Sequence, residues 1–184
     1  MQQFRPGTDE SRHPVPAAQV IGVVGGGSCD DEIACMAHET GRLIAGNGAV
    51  LVCGGLGGVM EAASRGAREN GGVVVGILPG ADRHQGNCWL TCAIPTGMGV
   101  TRNSLVVHSS DVIIAFPGSY GTLNEMALAL NLGKSVIAMP GAWELRKLGE
   151  VESSLFKEAN SPAHALGLAL TCARYPAANA PVQG

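Results

Sequence analysis

The residues best suited to chemistry lie together in residues 117–125, which read PGSYGTLNE. A mainly apolar run precedes them at residues 111–116 and another follows at residues 126–130, so we predict a strand, a glycine-rich turn and a helix. Glycines allow the tight turn, and the first amides of the helix then point outward without partners. Because such amides attract anions, we predict a phosphate site made by Gly118, Ser119, Tyr120, Gly121 and Thr122.

Glu125 is unexpected in a simple phosphate site. A carboxylate one turn into the helix repels a phosphate, unless it faces a hydroxyl or a cation that develops during a reaction. The spacing also allows an ordinary explanation, because a Thr122 N-cap would make residues 122–125 a capping box, in which Glu125 only bonds the cap amide. Spacing alone favours neither interpretation.

Two further glycine clusters follow apolar runs in the same way. Residues 20–24 lead into GGGS at 25–28, and residues 49–53 lead into GGLGG at 54–58. In a parallel sheet, the carboxyl ends of the strands meet at one edge, so all three loops are expected to converge there. These clusters add as candidate binding residues Gly26, Gly27, Ser28, Gly54, Gly55, Gly57 and Gly58.

Strands and helices alternate along the whole central part of the chain. Strands are predicted at 20–24, 49–53, 73–78, 93–94, 111–116 and 135–139, and helices at 31–47, 59–70, 101–109 with Thr101 as N-cap, 122–132 and 161–173. This alternation is typical of βαβ units with right-handed crossovers. We therefore predict an α/β fold with a single doubly wound, Rossmann-like parallel sheet and helices on both faces. It forms one domain over residues 18–175, between a disordered leader at 1–17 and a flexible tail at 176–184.

Composition restricts the classes of function. A chain of 184 residues that is 46% hydrophobic suits one domain with a substantial core. A net charge of -3 with only 12 scattered basic residues disfavours nucleic acid as a partner. No apolar run approaches the length of about 20 residues that crosses a bilayer, and the N-terminus lacks the apolar core of a signal peptide. We expect a cytoplasmic protein without membrane contacts.

The cysteines predict neither disulfides nor a metal site. Six of them are spread over a chain whose core needs no covalent support, which is typical of reduced thiols. His84, Cys88 and Cys92 lie close together, but their spacing is CxxxC and no second ligand pair follows. We predict no metal ligands.

Two familiar nucleotide-binding motifs are excluded. Neither of the first two glycine clusters has the third glycine of the dinucleotide fingerprint G-x-G-x-x-G. The sequence GKS at residues 133–135 resembles the end of a Walker A loop, but residue 128 is leucine and the triplet precedes a strand instead of following one.

Together these segments resemble the LOG-like proteins, long mislabelled lysine decarboxylases, several of which are cytokinin-activating nucleoside 5'-monophosphate phosphoribohydrolases. Residues 117–125 resemble the PGGxGTxxE motif of the family, residues 76–80 the end of its third strand, and residues 96–103 its arginine-bearing segment. Residues 53–60 resemble its GGxxGxM loop, which adds Met60 to the candidate binding residues. The most similar branch is the one that contains the molybdenum cofactor carrier proteins.

The resemblance implies that Arg102 and Glu125 match the catalytic pair of the family. An arginine near a helix start is commonly solvated, but it opposes the helix dipole, which indicates that another group holds Arg102. Three positions depart from the phosphoribohydrolase pattern: Asn103 stands where lysine is usual, Ser119 replaces a glycine, and Asn124 replaces the first of two frequent glutamates. Decarboxylation is excluded, because pyridoxal phosphate needs a Schiff-base lysine and no glycine loop contains one; the lysines are Lys134, Lys147 and Lys157.

Two functions remain open. As an enzyme, the protein would hydrolyse the N-glycosidic bond of a nucleoside 5'-monophosphate, with Glu125 stabilising the oxocarbenium-like ribose and Arg102 orienting phosphate or base. As a binding protein, it would carry a phosphorylated pterin such as the molybdenum cofactor, or sense a nucleotide. Neither function requires a cofactor. The family resemblance also implies a homodimer, for which the apolar side chains of residues 123–130 offer a face that could equally pack on the sheet.

Overall fold

The computed structural model describes residues 18–145 and 154–172. The predicted leader at 1–17, the predicted tail at 176–184, the end of the last predicted helix at 173 and Lys147 lie outside the described residues.

The chain alternates between strands and helices from Val20 onward. The strands are β1 Val20–Val24, β2 Val50–Cys53, β3 Val74–Leu78, β4 Cys92–Pro95, β5 Val112–Ala115, β6 Ser135–Ala138 and β7 Phe156–Glu158. The helices are α1 Asp31–Gly46, α2 Val59–Glu69, α3 Asn103–Ser109, α4 Tyr120–Asn131 and α5 Pro162–Thr171, with short 3₁₀ helices at Arg83–Gln85 and Gly99–Arg102. All six predicted strands and all five predicted helices are confirmed, whereas β7 was not predicted because it has only three residues.

The seven strands form one sheet in the order β4-β3-β2-β1-β5-β6-β7, and every neighbouring pair is parallel. The chain moves outward from β1 to β4 and then returns to the other side of β1 as β5, so the order reverses between β1 and β5. In such sheets ligands bind in the crevice beyond the carboxyl ends of the strands where the order reverses.

Helices cover both faces of the sheet, as predicted. One apolar cluster joins Ile21 and Val23 of the sheet to α1, α2 and α5, and another joins Val24 and Ile113 to α3 and α4. The residues of each strand therefore alternate between two cores, which explains their nearly continuous apolar sequences. The doubly wound α/β class is confirmed.

Two helices show which faces are already occupied. Helices α1 and α2 cross closely, because a Cβ on Gly41 would collide with the Ala63 carbonyl and one on Gly66 with the His38 carbonyl. On α4, Met126 is buried in the sheet core, with Leu123 and Leu130 packed against the same cluster. Most of the apolar stripe considered for a dimer contact therefore packs on the sheet, and the homodimer stays a prediction.

Candidate functional site

The three glycine loops meet where the strand order reverses. Strand register places Val23 beside Cys53 on one side and beside Ile114 on the other, so the loops begin at the same level. The Gly26 amide donates to the Pro117 carbonyl at 2.9 Å, and the Gly26 carbonyl accepts from the Val59 amide at 3.1 Å. The loop after β1 therefore braces the loops after β2 and β5.

Glycine is required at two of these contacts. A Cβ on Gly118 would lie 2.9 Å from the Gly26 amide nitrogen and would collide with the Thr122 hydroxyl. Gly58 has a φ of +62°, and a Cβ there would lie 2.6 Å from the Ser28 amide nitrogen. Only glycine allows backbones to approach this closely, so the sequence GGxGG serves loop packing as well as any ligand.

Helix α4 begins with an open N-terminus. Its N-cap is Ser119, whose side chain makes no capping hydrogen bond, and its first turn contains no acidic residue. The predicted start at Thr122 is therefore wrong, and the alternative of a capping box between Thr122 and Glu125 is excluded, because Thr122 already lies in the first turn. The amides of Tyr120, Gly121 and Thr122 precede the first residue that can bond four positions back, so they are available to a ligand.

Arg102 is buried at the junction of a 3₁₀ helix and α3, and it is only 7% exposed. The predicted N-cap role of Thr101 is wrong, since the 3₁₀ helix continues through Thr101 and Arg102 into α3. Arg102 donates from Nη1 to Asn103 Oδ1 at 2.7 Å and from Nη2 to the Gly54 carbonyl at 3.2 Å. Its Nε has no partner among the described residues. The Arg102 guanidinium is thus fixed by protein oxygens and retains one buried donor that a ligand oxygen would satisfy.

Glu125 is also buried, at 6% exposure, and its Oε1 lies 3.6 Å from Arg102 Nη1. Burial raises the pKa of Glu125 to about 7, and the positive charge of Arg102 opposes that rise. Burial likewise lowers the pKa of Arg102, while the negative charge of Glu125 opposes that change. With its pKa raised toward neutral, the Glu125 carboxyl can serve as a hydrogen-bond donor when protonated and as an anion when ionised.

Arg102 and Glu125 share a small cavity at the carboxyl ends of β1 and β5. Its volume is about 100 Å³, and it is lined by Val23, Val24, Gly25, Gly54, Met60, Arg102, Asn103, Ser119, Gly121, Thr122 and Glu125. The structure thus brings together both predicted catalytic residues and five of the predicted binding residues. The other predicted residues lie on the surrounding loops but do not line this cavity: Gly26, Gly27, Ser28, Gly55, Gly57, Gly58, Gly118 and Tyr120. Their contact with a ligand stays a prediction.

Sequence reasoning missed two residues at this site. Asn103 was noted only as a departure from lysine, yet its side chain accepts a hydrogen bond from Arg102. Trp143 donates from Nε1 to the Gly118 carbonyl at 3.0 Å and stacks on Tyr120 with ring centroids 6.2 Å apart. The substitution of the usual lysine was a usable signal for Asn103, whereas no sequence pattern pointed to Trp143, which is distant in sequence from the loop it contacts.

Other candidate chemistry is not supported within residues 18–145 and 154–172. No group of three His, Cys, Asp or Glu side chains there could hold a metal ion, and all six cysteines are free. Lys134 is buried and donates to the carbonyls of Val107, His108 and Ser110, so it stabilises the end of α3. None of the described helices is both long enough and apolar enough to cross a bilayer.

Comparison with protein families agrees with this geometry. A family model described as the SLOG cluster 4 family matches residues 18–171. The chain belongs to the SLOG cluster 4 family. The resemblance to LOG-like proteins is thereby confirmed.

Solved structures with the same fold indicate which branch of the family this SLOG cluster 4 protein resembles. The molybdenum cofactor binding protein of the phototrophic bacterium Rippkaea orientalis is 37% identical, has a TM-score of 0.79, and covers 85% of this chain and 98% of its own. The molybdenum cofactor carrier protein of Chlamydomonas reinhardtii is 32% identical and has a TM-score of 0.74. The match covers 83% of this chain and 96% of the carrier protein's chain. An uncharacterized protein of Archaeoglobus fulgidus is 49% identical over 119 residues, which make up 65% of this chain and 78% of the relative. The predicted likeness to the carrier branch is confirmed.

Proposed function

We propose that this SLOG cluster 4 protein binds a small phosphorylated ligand and that it carries the phosphorylated pterin of the molybdenum cofactor as cargo. The observation that carries the proposal is the uncapped N-terminus of α4, which opens into the same cavity as the buried Arg102. Helix amides with a nearby guanidinium form a natural cradle for a phosphate group.

The size of the Arg102–Glu125 cavity suits an anchoring group. A volume of about 100 Å³ accommodates a phosphate but not a whole nucleotide or tricyclic pterin, whose binding pockets typically enclose about 300–1,000 Å³. The rest of the ligand would therefore lie outside this cavity. The similarity to a molybdenum cofactor binding protein at 37% identity and to a carrier protein at 32% identity supports a pterin as that ligand.

The state of Arg102 also favours binding over hydrolysis. Two of its nitrogens already donate to Asn103 and Gly54, so Arg102 acts as a fixed charge. In the phosphoribohydrolase pattern a lysine stands at the position of Asn103, and a neutral amide cannot supply that second charge. The site thus retains one cation for anchoring and lacks the lysine that usually follows this arginine in the phosphoribohydrolase pattern.

Native mass spectrometry of protein purified from cells that make the molybdenum cofactor tests the proposal. We expect the unmodified protein to retain a pterin species, and Arg102→Met to weaken its binding about 10- to 100-fold, because charge-assisted hydrogen bonds are lost. Arg68→Met is the matched control, since Arg68 is exposed at the end of α2 and bonds only the Gly72 carbonyl among the described residues. A pterin-free protein whose melting temperature molybdopterin does not raise would contradict the proposal.

A second candidate is N-glycosidic hydrolysis of a nucleoside 5'-monophosphate, with Glu125 and Arg102 as the catalytic pair. The specific observation in its favour is a buried carboxyl with a pKa of about 7, placed beside the proposed phosphate cradle. Carboxylates that face a developing oxocarbenium ion are typical of glycoside hydrolysis. Purified protein should then release base from AMP, and Glu125→Ala should abolish this release without a large loss of phosphate affinity.

The two functions require opposite protonation of Glu125. Hydrolysis needs the carboxylate, so base release should increase as pH rises through about 7. Anion binding benefits from the neutral acid, so affinity for sulfate, whose charge is constant in this range, should increase as pH falls from 8 to 6. Calorimetric titration with sulfate and an assay of adenine release over the same pH range separate these outcomes. A homodimer, implied by the family resemblance, is part of the proposal and is tested by light scattering.

A further inference from the structure

A second and much larger cavity lies between the N-terminal halves of α1 and α2. Its volume is about 520 Å³, within the range of small-molecule pockets. The side chains that matter for its chemistry are Cys29, His38, Glu61, Arg65 and Trp89. Neither the predicted phosphate cradle nor the Arg102–Glu125 pair contributes a side chain to it.

The two cavities are lined by neighbouring positions of the same two glycine loops. Gly25, Gly54 and Met60 line the small cavity, whereas Cys29 and Gly58 line the large one. The chain therefore passes directly from one cavity to the other along both the first and the second glycine loop. The linings of the two cavities are therefore close in sequence, and the larger cavity has about five times the volume of the smaller one.

A cationic and aromatic wall, in which Arg65 lies over Trp89, bounds part of the large cavity. The Arg65 guanidinium lies over the Trp89 ring, 5.5 Å from its centroid. Arg65 Nε donates to Glu69 at 2.8 Å, and Glu69 also hydrogen-bonds His38 at 2.8 Å, so these bonds restrict the guanidinium. Guanidinium planes and indole rings are the surfaces on which planar heteroaromatic rings stack.

Glu61 supplies the polar recognition group. It lies in the first turn of α2, and a Cβ on Gly57 would be 3.8 Å from Glu61 Oε2, so the carboxylate lies beside the glycine loop. An ionised carboxylate only accepts hydrogen bonds, and its two oxygens match two parallel donors. Burial and the neighbouring Asp30 and Asp31 raise the pKa of the Cys29 thiol, which keeps that part of the wall uncharged.

We propose that this cavity binds a ring with a 2-amino-4-oxopyrimidine edge, the edge shared by pterins and guanine. The ring stacks on the Arg65–Trp89 wall, and its ring N–H and exocyclic amine both donate to Glu61. Adenine lacks this adjacent pair of donors. The inference rests on the proposed function in one respect: it identifies where the ring lies when the phosphate of the cargo occupies the α4 cradle.

Titration of the full chain with neopterin, a 2-amino-4-oxopteridine without phosphate, tests the ring site alone. The matched probe is the lumazine that corresponds to neopterin, here called lumazine, which keeps the trihydroxypropyl side chain and has an oxo group in place of the amine. We expect neopterin to bind at least about tenfold more tightly than lumazine, since the lumazine oxygen would face the Glu61 carboxylate. Guanosine is the second arm: affinity equal to neopterin assigns the site to either ring, and weaker affinity assigns it to pterins.

Glu61→Gln should weaken neopterin binding about 10- to 100-fold and remove the preference over lumazine. Glu32→Gln is the control, since Glu32 is an exposed glutamate in the first turn of α1 that does not line the cavity. A melting temperature within a few degrees of the parent shows that the variant is folded. Trp89→Leu, which removes the stacking surface but keeps Glu61, should weaken neopterin and lumazine equally.

Equal affinity for neopterin and lumazine, or unchanged neopterin binding by Glu61→Gln, would overturn the inference. Failure of the proposed function looks different: the protein would bind neopterin but retain no phosphorylated pterin from cells. Failure of this inference alone would leave the phosphorylated pterin bound equally by the parent and by Glu61→Gln.

Discussion

The N-termini of α1 and α4 follow glycine loops at the same edge of the sheet, yet they differ in chemistry. The Asp30 side chain caps α1 by accepting from the Ile33 amide at 2.8 Å, and Asp31 and Glu32 add two carboxylates in the first turn. The first turn of α4 has no acidic residue, and its Ser119 cap makes no side-chain hydrogen bond. The Asp30 carboxylate therefore occupies the positive end of α1, whereas the first amides of α4 have no side-chain cap.

This comparison shows that a glycine loop before a helix does not by itself make a phosphate site. The loop at 25–28 has a structural role, since Gly26 bonds both Pro117 and Val59, and its contact with a ligand stays a prediction. The loop at 117–122 is supported by those bonds and keeps its amides available. The two helix ends thus differ in the N-cap residue, and the number of glycines in the preceding loop does not predict that difference.

The largest expected effect is the pH dependence of stability caused by Glu125, the carboxylate that lies inside α4. Burial raises the folded-state pKa of Glu125 from 4.5 to about 7, so the folded protein binds this proton more tightly than the unfolded chain. The contribution of Glu125 to the free energy of unfolding should therefore decline as pH rises from about 4.5 to 7, by up to about 3 kcal/mol. The measurement is urea unfolding from pH 4 to 8, in which stability of the parent minus that of Glu125→Gln isolates this group. A difference independent of pH would refute the buried-acid description.

The next effect compares glycines in the two loops. Gly118→Ala places a Cβ 2.9 Å from the Gly26 amide nitrogen and against the Thr122 side chain, so we expect a loss of about 1–3 kcal/mol in unfolding free energy. Sulfate binding should weaken in parallel, because the cradle must shift. Gly27→Ala is the matched control: nothing lies within 4 Å of its added Cβ, and its stability should change by less than about 0.5 kcal/mol. If Gly118→Ala and Gly27→Ala lost equal amounts of unfolding free energy, measured by thermal and urea unfolding, the two loops would not differ in this way.

The smallest expected effect compares the contributions of the two N-cap residues, at α1 and at α4, to stability. Asp30→Ala removes the hydrogen bond to Ile33 and should cost about 1 kcal/mol. Ser119→Ala removes no capping bond and should change the unfolding free energy by less than about 0.5 kcal/mol. Urea titration of both variants provides the measurement. A larger loss for Ser119→Ala would mean that α4 is capped by its own side chain and is closed to anions.

Much of the fold was predictable, because its signals are local. Continuous apolar runs indicate strands buried on both faces, and the glycine clusters indicate where those strands end. β7 was missed because Phe156–Glu158 has no such run and depends on pairing with β6. The start of α4 was misplaced because Thr122 and Glu125 have the spacing of a capping box, while the backbone turns into the helix after Ser119.

The sequence predicted which residues form the site but not the contacts that these residues make. The motif and the arginine-bearing segment pointed to Glu125 and Arg102, yet their 3.6 Å approach depends on packing between two separate helical elements. The partners of the guanidinium, Asn103 and the Gly54 carbonyl, come from different parts of the chain. The contact between Arg65 and Trp89 likewise joins α2 to a loop for which the sequence predicts no regular structure, so this contact was not predictable.

The amino-acid sequence by itself determined the order of strands and helices, the edge at which the glycine loops converge and the kinds of residue found there, because these depend on local periodicity and turn chemistry. Only the tertiary structure decided which helix end remains open, that burial raises the pKa of Glu125 to about 7, and that a second cavity lies between α1 and α2. Those properties depend on burial and on contacts between distant segments, and desolvation acts on a side chain only after the surrounding elements have packed.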